Sequence, residues 1–202
     1  MILILSLFPG IGLLDSAFEL EGFCVVRGPD LLWGGRIESF HPPAGKFDGV
    51  IAGPPCQAFS RLRALVEANG YQVAPNLIPE FERCVAEAQP AWFLMENVPA
   101  APLPVVAGYQ VHTQRLNNRW CGGEQHRIRG IHFGTHTGTR LLIAGEALEP
   151  AEWRPAVLAS GGTRERPIKL GGSGKVKSTA NLLGYQNADY LRRAIRDQGL
   201  PD

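Results

Sequence analysis

Two runs, Gly49-Val50-Ile51-Ala52 and Ala91-Trp92-Phe93-Leu94-Met95, are apolar almost throughout and then stop abruptly. Runs of this length without polar alternation read as strands buried on both faces, the pattern of a parallel sheet covered by helices. A third, Ile2 to Leu7, reads as a short buried strand and leads into Phe8-Pro9-Gly10-Ile11-Gly12. Helical patterns lie between the runs. Leu14, Ala17, Phe18 and Leu20-Glu21 fall at helical spacing and close at Gly22. Phe81, Cys84, Val85 and Ala88 share one face of a segment from Glu80 to Gln89, which Gln89-Pro90 ends. Phe23 to Arg27 reads as a further strand, broken by Gly28-Pro29, and the strand before Cys56 starts at Asp48. This alternation predicts an α/β fold with a doubly wound, mostly parallel sheet.

The pattern changes after about residue 100. Gly108 to Val111 and Arg129 to Phe133 read as strands, and 135–179 is rich in Gly, Pro, Thr and charge, which predicts loops. Asn187 to Asp197 reads as a final helix. The expected division is an α/β unit over 1–134 and a short loop-rich C-terminal region over 135–202. A chain of 202 residues has room for one such core and little more.

Bulk properties exclude some functions. The formal net charge is +1, so a nucleic-acid partner would be held by a local basic patch. No apolar run is long enough to span a bilayer, which leaves no membrane partner expected. Met1 to Leu5 lacks the basic start and cleavage site of a signal peptide. None of the cysteines at 24, 56, 84 and 121 is spaced as Cys-x-x-Cys, which argues against a zinc ribbon or a redox pair, and no metal site is expected. Cys24 and Cys84 read as small buried hydrophobes, and the chain as cytoplasmic and reduced.

The chemistry concentrates where the apolar runs end. Gly53-Pro54-Pro55-Cys56-Gln57 places a thiol on a loop stiffened by two prolines. Met95 is followed by Glu96-Asn97-Val98, a carboxyl at a strand end expected to be buried, where desolvation raises a carboxyl's pKa. Adjacent strand tips of an open α/β sheet face one crevice, so the thiol and the acid are expected to share it. The glycine loop after the first strand lets backbone approach a nucleotide-type ligand closely. In Gln125-His126-Arg127-Ile128-Arg129 the two arginines project from one face of a strand, an arrangement suited to phosphate or base carbonyls. A zinc deaminase is excluded by the lack of a second cysteine suitably spaced after Cys56. Gly171 to Thr179 fails the phosphate-loop pattern and reads as a flexible basic loop.

Together, in this order, these segments resemble the cytosine-C5 DNA methyltransferases over roughly residues 1–134. The resemblance implies a sheet of the class I S-adenosylmethionine-dependent type. Phe8, Pro9, Gly10, Ile11, Gly12 and Leu13, with Asp30, Ile37 and Pro54, would bind S-adenosylmethionine. Cys56 would attack carbon 6 of a flipped cytosine in double-stranded DNA, with Glu96 holding the ring and Arg127 and Arg129 beside the nucleotide. Gln57, Ser60, Asn97, Val98 and Gln125 would complete the substrate side, Asn97 and Val98 by fixing the loop that carries Glu96.

The chain departs from the family in several places. Leu13 stands where another glycine is common. Asp30 is the nearest candidate for the ribose acid. Gly35-Arg36-Ile37 replaces Gly-Asp-Ile, and an arginine cannot accept the adenine hydrogen bond. The helix expected between these features is missing. Leu191 to Asp202 resembles the segment before the family's final Gly-Asn motif, so a partner completing the cofactor pocket is an expectation; the stretch after Phe133 is short for a large target-recognition domain, so weak or unusual sequence specificity is another. Two further readings stand beside DNA methylation: a catalytically impaired DNA-binding module, and RNA cytosine methylation.

Overall fold

β1 (Leu3–Leu7) lies inside the sheet, with β2 (Cys24–Arg27) on one side and β3 (Gly49–Ala52) on the other, both parallel to it. The computed structural model from which we describe the protein covers residues 1–59, 63–70, 72–121 and 126–141. β4 (Trp92–Asn97) pairs in parallel with β3, while β6 (Ile128–Thr135) runs antiparallel to both β4 and the edge strand β5 (Gln110–Asn117). The full order is β2-β1-β3-β4-β6-β5. From β1 the chain first moves outward to β2 through a helix, then returns past β1 to β3 and on to β4 through another. Right-handed crossovers in opposite directions place these two helices on opposite faces, and the reversal opens a crevice at the β1/β3 tips.

The packing follows from this. α1 (Leu13–Leu20) contributes Phe18 to a cluster on one face with Ile4, Phe23, Ile51, Trp92, Leu94 and Phe133. α3 (Ile78–Ala88) contributes Ile78, Phe81, Cys84, Val85 and Ala88 to the other, against Leu5, Val50, Phe93 and Met95. The face expected of the second helix is therefore the buried one, and burial pushes the Cys84 thiol up to about 11, as suits an inert core cysteine. Phe18 meets Phe23 edge-on at 5.2 Å and Phe81 meets Phe93 likewise at 5.4 Å. Two glycines let the rings sit flat on the sheet: a Cβ at Gly49 would enter the Trp92 ring, and one at Gly134 the Phe93 ring.

Several expectations need correction. Cys24 is only partly buried, because β2 is an edge strand with a single neighbour. Leu20, on the open side of α1, is 66% exposed. β5 and β6 extend well beyond 108–111 and 129–133, since His112 to Arg115 is polar and gave no apolar run to read. A short helix, α2 (Arg63–Ala68), also forms after the cysteine loop. The expected final helix, the loop at 171–179 and most of 135–202 lie outside the described residues. No described helix is long and apolar enough to cross a membrane, and the described residues hold no cluster of three metal-ligating side chains.

Between β2 and β3 the chain makes only the 3-10 turns Leu31–Trp33 and Ile37–Ser39, which bears out the missing helix. Arg83 on α3 pins the second turn, donating from Nη2 to the Ile37 carbonyl at 2.8 Å while pairing with Glu80 and Glu87. Burial works against this guanidinium's charge, yet hydrogen bonds to Glu87 and Glu80 outweigh it and hold its pKa above the usual range. Arg83→Met frees the turn and leaves an unmet carbonyl, so a loss of about 2 kcal/mol is expected in denaturant titrations.

Candidate active site

The loop after β1 turns left-handed at Phe8, Gly10 and Gly12, with φ of 56°, 55° and 77°. Phe8 has a Cβ and is strained there, as residues held at ligand-binding loops often are. Gly12 caps α1 and donates to the Pro9 carbonyl at 2.8 Å, and no side chain caps this helix. A Cβ on Gly12 would come within 3.3 Å of the Arg27 guanidinium. Gly12→Ala combines that contact with left-handed strain, and is expected to cost about 1–2 kcal/mol by thermal unfolding.

Asp30 is partly exposed, and each of its carboxylate oxygens accepts one backbone bond, which leaves a lone pair on both. Its Oδ2 accepts the Gly10 N–H at 2.9 Å and its Oδ1 the Leu32 N–H at 2.8 Å, while Trp33 Nε1 donates to the Gly10 carbonyl at 3.2 Å. The acid expected at the ribose is also a clasp on the glycine loop. Ile37 is likewise placed in the core on the α3 face, away from the cavity described below. Arg36 is exposed, its carbonyl accepting from Ser39 Oγ.

β3 and β4 deliver the thiol and the acid side by side, because their register pairs Ala52 with Met95. Cys56 is partly buried and opens the turn Gln57–Phe59, its carbonyl accepting the Phe59 N–H at 3.0 Å. Asn97 joins the two loops: 1% exposed, it donates from Nδ2 to the Pro54 carbonyl at 3.3 Å and accepts the Val98 N–H at 2.8 Å. It positions the loops and has no surface left for a ligand. Gln57 Oε1 accepts the Ala74 N–H at 3.0 Å. Ser60 and Gln125 lie outside the described residues.

Glu96 is not the buried carboxyl expected. Its side chain is 32% exposed and ion-paired with Arg129, Nε to Oε1 at 2.7 Å. The antiparallel β4–β6 pairing brings them together. Arg129 also donates to the Ile128 carbonyl at 2.9 Å, which fixes the guanidinium. Burial pulls the Arg127 guanidinium below its usual range and the Arg129 charge adds to this, while Glu96 and Cys56 act the other way. Thiol, acid and both arginines therefore form one electrostatic unit.

A cavity of about 210 Å³ lies between this unit and the glycine loop. Phe8, Pro9, Ile11 and Leu13 line one part, Glu96, Arg127 and Arg129 another, and Ser6 and Asp15 back the wall. Sequence reading missed Ser6, Asp15 and Arg27. The available signal was a hydroxyl inside an apolar strand and an acid in a helix's first turn.

A family model described as C-5 cytosine-specific DNA methylase matches residues 36–102. The type II methyltransferase M.HgiGI of Herpetosiphon aurantiacus is 44% identical over 120 residues, covering 49% of this chain and 92% of that protein. M.FnuDI of Fusobacterium nucleatum, also a type II methyltransferase, is 30% identical over 220 residues, covering 93% of this chain and 62% of its own length. The chain thus spans less than two thirds of M.FnuDI. A DNMT2 variant from Spodoptera frugiperda superimposes with a TM-score of 0.51 at 16% identity, covering 74% of this chain and 54% of that one, a likeness of fold.

Proposed function

We propose, from the premise that this chain belongs to the C-5 cytosine-specific DNA methylase family, that it methylates carbon 5 of cytosine in double-stranded DNA. The observation that carries this is that the Glu96–Arg129 pair and Arg127 line the cavity walled by the glycine loop, with Cys56 acting electrostatically on Arg127 from the neighbouring loop. S-adenosylmethionine fits that cavity in kind: a backbone-rich loop with left-handed glycines on one side and a polar wall on the other. Phe8, Pro9, Ile11 and Leu13 would hold it, and when bound it supplies an electrophilic methyl group on a cationic sulfur.

The chain's own residues account for the rest. The target base is turned out of the duplex to reach the crevice. Cys56 Sγ bonds to carbon 6, and the ring's electron density shifts to carbon 5, the carbon that is methylated. Glu96 gives a proton to the ring nitrogen and accepts from the exocyclic amine, so that negative charge does not build on the ring as the adduct forms, while Arg129 holds its side chain in place. A base takes the carbon-5 proton, which restores the double bond, expels Cys56 as the thiolate and returns the ring-nitrogen proton to Glu96. Residues 1–134 form the catalytic unit in this reading and 135–202 a reduced target-recognition region, of a protein that works in the cytoplasm.

DNA carrying 5-fluorocytosine tests it. Fluorine cannot leave carbon 5 as a proton does, so the adduct with Cys56 persists. A band that survives denaturation and needs S-adenosylmethionine is expected. DNA binding without it would point to a binding module, and a band only with RNA would move the substrate.

A further inference from the structure

Asp15 has no part in the reaction above, yet its side chain is fully buried in the first turn of α1. Ser6 Oγ donates to its Oδ1 and Arg27 Nε to its Oδ2, the latter at 2.8 Å. Arg27 then reaches Glu19 from Nη2 at 3.1 Å. Asp15 backs the same cavity that Glu96, Arg127 and Arg129 line, among Leu7, Leu13 and Leu14.

The charges in that wall do not cancel without it. Glu96 is matched directly by Arg129. Arg127 has no ion-pair partner among the described residues, so its positive charge faces the cavity. Arg27 is 52% exposed, and water screens it. The Asp15 side chain has no water contact, and a charge in a poorly screened interior acts over longer distances. A clamp between β1, α1 and β2 needs only a polar acceptor. A carboxylate kept out of water costs more than a neutral amide would, so its charge calls for a use.

We propose that Asp15 favours the cationic methyl donor over its spent product, by offsetting the Arg127 charge behind the cavity. This rests on the methyl-donor reading. The donor carries a sulfonium, whereas the product of methyl transfer carries a neutral thioether and one positive charge fewer. A wall whose positive charge is offset binds the first more tightly than an uncompensated wall would, and its hold on the second barely changes.

The test is equilibrium calorimetry on the full chain without DNA, titrating S-adenosylmethionine and S-adenosylhomocysteine separately. Asp15→Asn keeps the shape and is expected to weaken donor binding about tenfold while changing product binding less than about twofold. Arg27→Met removes the nearby cation but leaves the carboxylate, so it is expected to raise the donor-to-product affinity ratio at least about twofold even as stability falls. The second variant keeps the proposal testable should Asp15→Asn fail to fold. An equal loss for both ligands in Asp15→Asn, or an unchanged ratio in Arg27→Met, would make the network a clamp alone and overturn the proposal. Failure of either ligand to bind the unaltered protein would overturn the methyl-donor reading and this proposal with it.

Discussion

Cys56→Ala is expected to abolish methyl transfer, with a loss on the order of 10⁴-fold or more, and to leave no denaturation-resistant band on 5-fluorocytosine DNA. The size follows from the chemistry: without a bond to carbon 6, carbon 5 stays too electron-poor to be methylated, and no neighbouring group can replace a thiolate. The local structure should survive. Its support is the Cys56 carbonyl, which receives the Phe59 N–H, together with the Asn97 bond to Pro54; neither uses the sulfur. Unchanged DNA affinity by fluorescence anisotropy, beside lost turnover, is therefore expected. Residual turnover within tenfold of the unaltered chain would show that Cys56 is not the nucleophile.

Glu96→Gln should follow, with kcat reduced on the order of 10²–10³-fold. Glutamine keeps the shape but has no acidic proton to give the ring nitrogen during attack. It also removes the partner of Arg129, whose side chain is only 18% exposed. The glycine loop should keep its shape, because it is held by Asp30 and Trp33, neither of which touches Glu96, while loss of a negative charge from the cavity wall should also weaken methyl-donor binding. Single-turnover rates and calorimetry on the same preparation separate the two effects. Arg129→Met should lose less than Glu96→Gln, since it unfixes the carboxylate without removing it.

The parts of this protein legible in its sequence are those whose physics is local. Runs apolar throughout can only be buried strands, and the Phe81-Cys84-Val85-Ala88 face announces a packed helix, so β1, β3, β4 and α3 follow from one-dimensional pattern. Cys56 and Glu96 were placed at neighbouring strand tips for the same reason. What escaped depends on partners distant in the chain. Glu96 followed five apolar residues and so read as buried, but strand polarity says nothing of the Arg129 that meets it across the sheet. Asp30 was expected at a ligand because of where it falls after a strand; that it also holds the Gly10 and Leu32 N–H groups was not legible. Ile37 was assigned to the cofactor by resemblance, whereas the Arg83 anchor turns that segment toward α3.

The antiparallel seating of β6 beside β4 has a consequence for biosynthesis. On the ribosome the glycine loop, the thiol and the acid are all made before the hairpin that carries Arg127 and Arg129. Glu96 and Arg129 lie 33 positions apart, and β5 must form and fold back before the guanidinium arrives. Once β4 has emerged and before the hairpin has, the chain would hold a sheet of parallel strands with β4 as a raw edge and its acid unmatched by Arg129. Such an edge invites wrong pairing until it is covered. Closing the edge and arming the site are one event, so an incompletely folded chain carries the nucleophile but not the machinery to use it.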